Sequence, residues 1–173
     1  MKNLIIVPVS VLLGSLLFTM QVGRSVHADT QAGTAASERA GIQAAYDGMG
    51  DAFGKHDIPR LMTYFDPGYV NIDEKGHHLD KEQTHKKFET QLSQIKSVKG
   101  HWVIMNVVPE PDGAHVEMRM HSAGTGTKKL LFLTFTGSFT DDLWVQDVWV
   151  HNPAGWQLQR RHTLKDDLQT HTN

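Results

Sequence analysis

The stretch Leu143–His162, LWVQDVWVHNPAGWQLQRRH, constrains this chain more than any other. Val145, Asp147, Trp149 and His151 alternate with Trp144, Gln146, Val148 and Val150, a period of two that marks an extended strand. Asn152-Pro153-Ala154-Gly155 carries turn residues, so the stretch predicts one long β-hairpin. Pairing His151 with Trp156 across that loop sets Trp149 opposite Leu158 and Asp147 opposite Arg160, all on one side of a sheet. An acid and a base then stand among large aromatics, on a surface where a pocket can be built.

The N-terminus bounds the compartment. Met1-Lys2-Asn3 is a short positive segment, Leu4–Met20 is apolar and uncharged, and Val26-His27-Ala28 has the small-x-small form of a cleavage site. Residues 1–28 therefore read as a signal peptide, and the chain is expected to be exported, to a periplasm or beyond. Cleavage removes Lys2 and Arg24 and no acid, so the 17 basic residues fall by two against 19 acidic ones, about −4 net with histidine neutral. That balance disfavours nucleic acid and anionic membrane as partners. The chain has no cysteine, which excludes disulfides, thiolate chemistry and cysteine–zinc sites.

Residues 29–36 read as a flexible leader, 37–165 as one domain and 166–173 as a C-terminal tail. Within the domain, Ile42, Ala45, Tyr46, Met49, Ala52 and Phe53 recur at three- and four-residue steps and predict an amphipathic helix, despite Gly48 and Gly50. Asp57 caps a short second helix with Pro59 in its first turn. Tyr69–Asp73 predicts a strand, Glu74-Lys75-Gly76 a turn and His77–Leu79 its return. Asp80 and Gln83 form a capping box for a third helix, with Phe88, Leu92 and Ile95 inward. Trp102–Val108 and Ala114–His121 flank a turn at Pro109–Gly113, and Ser122–Lys128 reads as a loop. Leu130–Phe135, apolar on both parities, reads as a strand covered on both faces, which makes a homodimer through the outer sheet face the expected assembly.

Helix, short helix, strand, helix, then a sheet of long strands is also the order of a known group of proteins. With His56-Asp57-Ile58-Pro59-Arg60-Leu61, Phe65, Asp73, Asp147-Val148-Trp149-Val150, Gly155-Trp156 and His162, residues 37–163 resemble the nuclear-transport-factor-2-like (NTF2-like) superfamily, in particular its SnoaL-like or DUF4440-type group. The resemblance implies an α+β cone, a strongly bent antiparallel sheet wrapped around about three N-terminal helices, with a mostly apolar cavity. It spans enzymes, binding modules and assembly domains, so it implies no single activity. Met49, Phe53, Tyr64, Tyr69, Trp102, Trp149 and Arg160 are the expected cavity lining.

Set beside the ketosteroid isomerase branch, Asp73 falls at the general-base aspartate and Asp147 at the protonated aspartate of the oxyanion hole. The catalytic tyrosine position falls on Met49, with Tyr46 one turn earlier. His162 matches the strand-end histidine and is the expected proton carrier or ligand hydrogen bonder. A carboxyl in an apolar cavity has its charged form disfavoured, so two such groups can divide the roles of acid and base. Each aspartate has a plainer role open to it: Asp73 as a solvated turn-former, Asp147 as the ionised partner of Arg160. His77, His78, His115, His121, His151 and His162 show no metal-ligand spacing, and neither a metal nor another cofactor is expected. The leading expectation is an exported domain binding a small, largely apolar molecule. The alternatives are an isomerase, dehydratase or cyclase using these carboxylates, and a non-catalytic interaction module whose cone is closed by Trp102, Trp149 and Phe53.

Overall fold

The computed structural model describes residues 22–130 and 133–172. The chain divides into two compact units, one ending at Gly33 and one running from Thr34 onward. Of the first, residues 22–33 are described and are helical, belonging to α1 (Val22–Gly54). The predicted signal peptide falls largely outside the described residues. The predicted leader, 29–36, is part of α1 and not irregular, in keeping with the helix formers Ala32, Ala35 and Ala36. No helix among the described residues is long and apolar enough to cross a membrane.

The second unit continues with α2 (Ile58–Met62), β1 (Phe65–Ile72), β2 (His78–Asp80), α3 (Lys81–Gln94), β3 (Ile95–Glu110), β4 (Gly113–Leu130), β5 (Leu133–Asn152) and β6 (Gly155–Thr172). The caps are those the sequence predicts. Asp57 accepts from Arg60 N at the start of α2, and Asp80 and Gln83 close a reciprocal capping box on α3. The six strands form one sheet in the order β2-β1-β6-β5-β4-β3. It is an α+β cone as expected, but the sheet is mixed: β1 runs parallel to β6, because the last strand inserts beside the first.

Three expectations change. Ser122–Lys128 is not a loop but part of β4, paired with Asp141 through Phe135. Leu130–Phe135 is not one strand, since Leu130 ends β4, Leu133 begins β5 and the two residues face each other across an antiparallel pair. The predicted tail continues β6, with Asp166 opposite Leu143 and Thr172 opposite Gly137, because β5 is long enough to offer it a partner.

Helix α1 lays Ile42, Ala45, Tyr46, Met49 and Ala52 against Ile104, Val116, Met118, Val145, Trp149 and Leu158 of the sheet, all buried. The two glycines that interrupt its pattern have a reason. A Cβ on Gly48 would collide with the ring and hydroxyl of Tyr64, and one on Gly50 would lie 2.7 Å from Trp102 Nε1. Nearer the helix start, Gly41 receives the indole of Trp156 in the same way.

Bulges bend the long strands. Val148 faces Arg160 but Trp149 faces Leu158, so Gln159 is an extra residue on β6; Leu164 is a second, between the pairs Val145–Thr163 and Trp144–Lys165. Each bulge increases local twist and re-aims the side chains beyond it.

Two predictions follow from this packing. Gly48→Ala should destabilise by about 1–3 kcal/mol through overpacking, although alanine is the better helix former. In a Tyr64→Ala background the same change should instead stabilise by about 1 kcal/mol, measured by denaturant unfolding. At the far end of the hairpin, burial and then the neighbouring Asp166 raise the half-buried Asp141 to about 6, with Asp142 and Asp167 adding repulsion of the same sign. Its folded value lies above its unfolded one, so its contribution to stability is complete below the ordinary aspartate range and is lost as pH rises through about 6. Amide exchange near the Asp141–Leu168 pair, corrected for intrinsic rates, should show better protection at roughly pH 5 than at roughly pH 7.5.

Candidate functional site

The centre of the cone is occupied by a buried polar network. Tyr46, from α1, donates its hydroxyl to Asp147 Oδ2 at 2.6 Å and accepts from Trp149 Nε1 at 3.0 Å. Arg161 clamps the same carboxylate from β6, Nε to Oδ1 at 2.9 Å and Nη2 to Oδ2 at 2.6 Å. The Asp147 side chain is 0% exposed and that of Arg161 is 12% exposed. Aromatic rings wall the network: Trp102 stacks on Tyr46 at 5.8 Å, and Trp149 meets Tyr46 edge-on at 4.9 Å.

The electrostatics are those of a self-contained pair. Burial opposes the charge on Arg161, but the Asp147 carboxylate outweighs burial and holds the guanidinium above its ordinary value. Burial and then the negative charge of Asp147 push the Tyr46 hydroxyl well above the ordinary tyrosine range. Tyr69, buried beside the pair, is raised chiefly by burial. A phenol so placed donates a hydrogen bond and keeps its proton.

Of the residues predicted for a site, Tyr46, Asp147 and Trp149 come together, and Met49, Phe53, Tyr69 and Trp102 pack around the same core. Tyr64 packs at its edge, against α1. Arg160 does not take part. The bulge at Gln159 shifts the register by one, so Arg160 faces Val148 and is exposed, while Arg161 faces Asp147. His162 is likewise turned away from the cavity, being exposed and opposite the exposed Gln146. No motif announces a bulge; the available signal was that a carboxylate on a buried face requires a cation, and two adjacent arginines were in reach.

Asp73 lies elsewhere. Its Oδ1 accepts from the backbone N–H of Lys75 at 2.9 Å and of His77 at 2.8 Å, and its Oδ2 lies 2.8 Å from His77 Nδ1. These bonds, led by that from the His77 backbone, lower its carboxyl to about 2. It closes the β1–β2 turn, the plainer of its two expected roles, and its carboxyl is lowered because its partners are N–H donors and not a second carboxylate.

A groove of about 730 Å³ opens on the outside of this core, between α2, β1 and the start of α3. Pro59, Met62, Pro67, Tyr69 and Val70 give it apolar walls, and Lys81, Glu82 and His85 stand among its polar lining. Tyr69 belongs both to this groove and to the buried core.

The cone of the second unit, with residues 34–54 of α1 inside a bent six-stranded sheet, is the NTF2-like fold. No family model and no curated protein matches the chain. Solved structures do. A scytalone-dehydratase-like protein from Novosphingobium aromaticivorans superposes with a TM-score of 0.68 at 13% identity, covering 82% of this chain and 91% of its own. A hexachlorocyclohexane dehydrochlorinase of type 2 gives a TM-score of 0.61 at 10% identity, over 80% of this chain and 90% of its own. A dehydratase-like protein of the NTF2-like family from Streptomyces avermitilis gives 0.56 at 13% identity, over 75% and 96%. At such identities the likeness is one of fold.

The register makes a sharp prediction. Arg161→Met should destabilise by about 3–5 kcal/mol because it leaves a buried carboxylate unpaired, whereas Arg160→Met should stay within about 0.5 kcal/mol. Thermal unfolding of the two variants checks it, and equal losses would restore the Arg160 pairing. Tyr46→Phe should cost about 1–3 kcal/mol, the penalty for removing a buried donor.

Proposed function

We propose that this domain is an exported binding module that takes up a small, largely apolar molecule and performs no acid–base chemistry on it. The observation that carries the reading is the disposition of the two aspartates. General acid or base catalysis needs a carboxyl within reach of a substrate proton and free to exchange it. Asp147 spends both oxygens on Tyr46 and Arg161, and Asp73 spends its own on a turn. Trp149, Trp102 and Phe53 help fill the cone, the feature expected of a non-catalytic interaction module, so a binding role has to lie outside the cone.

Binding is therefore assigned to the groove between α2, β1 and α3. Its volume falls in the ordinary range of small-molecule sites, roughly 300–1,000 Å³, and its lining combines an apolar wall with a few polar groups. Support for export comes from the first 28 residues. The solved relatives named above include proteins of dehydratase and dehydrochlorinase type, and an isomerase, dehydratase or cyclase on this chain would require Asp147 to be released from Arg161.

Native mass spectrometry of the mature protein purified from its own host should detect a retained small molecule. Met62→Lys, on the groove wall, should lose it without loss of fold; retention in that variant would place the ligand elsewhere. Carboxyl-carbon NMR should find Asp73 titrating near 2, with its stability contribution present above the ordinary aspartate range and lost as pH falls through about 2. A value for Asp73 above the ordinary aspartate value of ~3.9 would reopen the acid–base reading.

A further inference from the structure

On the outer face of the sheet, the register places His101 of β3 directly opposite His121 of β4. His121 in turn is directly opposite Asp142 of β5. The neighbouring pair, Trp102 with Met120, packs against the core, so this row points the other way, and both histidines are exposed. His121 Nδ1 lies 3.2 Å from Asp142 Oδ1, which fixes one ring nitrogen on the carboxylate and leaves Nε2 free. Directly opposed residues of an antiparallel pair have Cβ atoms about 4.5–5.5 Å apart, near enough for two imidazoles to share one ion.

We propose that His101 and His121 chelate a divalent transition-metal ion of the zinc, nickel or copper type, with Asp142 as the positioning residue for His121. Imidazole nitrogen suits these ions and not calcium or magnesium. A histidine ligand whose second nitrogen is held by a carboxylate is oriented, and its basicity raised, by that partner. Among the described residues no set of three or more such side chains is gathered around a common point, so the protein supplies two ligands and water completes the shell. His101 closes on the ion by rotation about its side-chain bonds. The ligands are twenty positions apart in the chain and meet only through strand register, which is why no ligand spacing shows in the sequence. Arg119 also reaches Asp142, at 3.3 Å, and its guanidinium is drawn over the Trp144 ring at 4.6 Å.

His115 provides the control. It too has a carboxylate at its ring, Glu110 at 3.0 Å, but its opposite residues are Val108 and Val148. The experiment is titration of the mature, untagged, metal-stripped protein with zinc and nickel chlorides, followed by calorimetry and by histidine side-chain NMR. The resonances of His101 and His121 should respond first and together. His101→Ala and His121→Ala should each weaken binding at least tenfold, Asp142→Asn by about 10- to 100-fold, and His115→Ala should leave it unchanged. An unchanged affinity in His101→Ala, or a response spread equally over His115 and the other exposed histidines, would overturn the proposal. An unchanged affinity in Asp142→Asn would overturn the role given to that residue.

Discussion

The ion pair between Asp147 and Arg161 is the constraint around which the rest of the domain is arranged. Two charges this deeply buried are tolerated only when their hydrogen-bonding capacity is met, and the surrounding elements meet it. Helix α1 brings the Tyr46 hydroxyl, β5 brings Trp149 to orient that hydroxyl, and β6 must bulge at Gln159 to bring the guanidinium inward. Removing any one of these leaves another group unsatisfied. The interior is thereby committed to a single arrangement.

Much of this could be read along the chain before any coordinates. The alternation from Trp144 to His151, the apolar spacing of Ile42 to Phe53 and the caps at Asp57 and Asp80 are local signals, and each element formed where its signal lay. What could not be read was register. A bulge inserts one residue into a strand without a composition of its own, and it exchanges the inward and outward faces beyond it. The exchange of Arg160 for Arg161 and the outward turn of His162 come from that one insertion. Tyr46 and Asp147 are legible through the resemblance, as the residue one turn from the catalytic tyrosine position and as the oxyanion-hole aspartate, and Asp147 also through the alternation that sets it among aromatics. Asp73 was harder, since its sequence context served a base and a turn-former equally, and only its hydrogen bonds to Lys75 and His77 separate the two.

On the proposed reading, closing the cone moves recognition outward. Tyr69 is the link, since its ring packs edge-on against Phe65 at 4.7 Å inside and its flank lines the groove outside. A ligand in the groove would rest on a rigid floor, because that ring is held by the same core that holds the ion pair. Shape and apolar contact would then set affinity, with the α3 start supplying the polar choice.

Three of the glycines of α1 have a role other than the usual one of weak helix positions. Gly41, Gly48 and Gly50 are notches that receive Trp156, Tyr64 and Trp102, which arrive from β6, from the α2–β1 connection and from β3. A helix turns by about 100° per residue, so rotating or sliding α1 by one step would carry a side chain into each ring. The notches thus act as a key cut for one lock. Their cost is a segment with poor intrinsic helicity, and residues 41–50 of α1 should become fully helical only as the aromatics of the sheet close onto them.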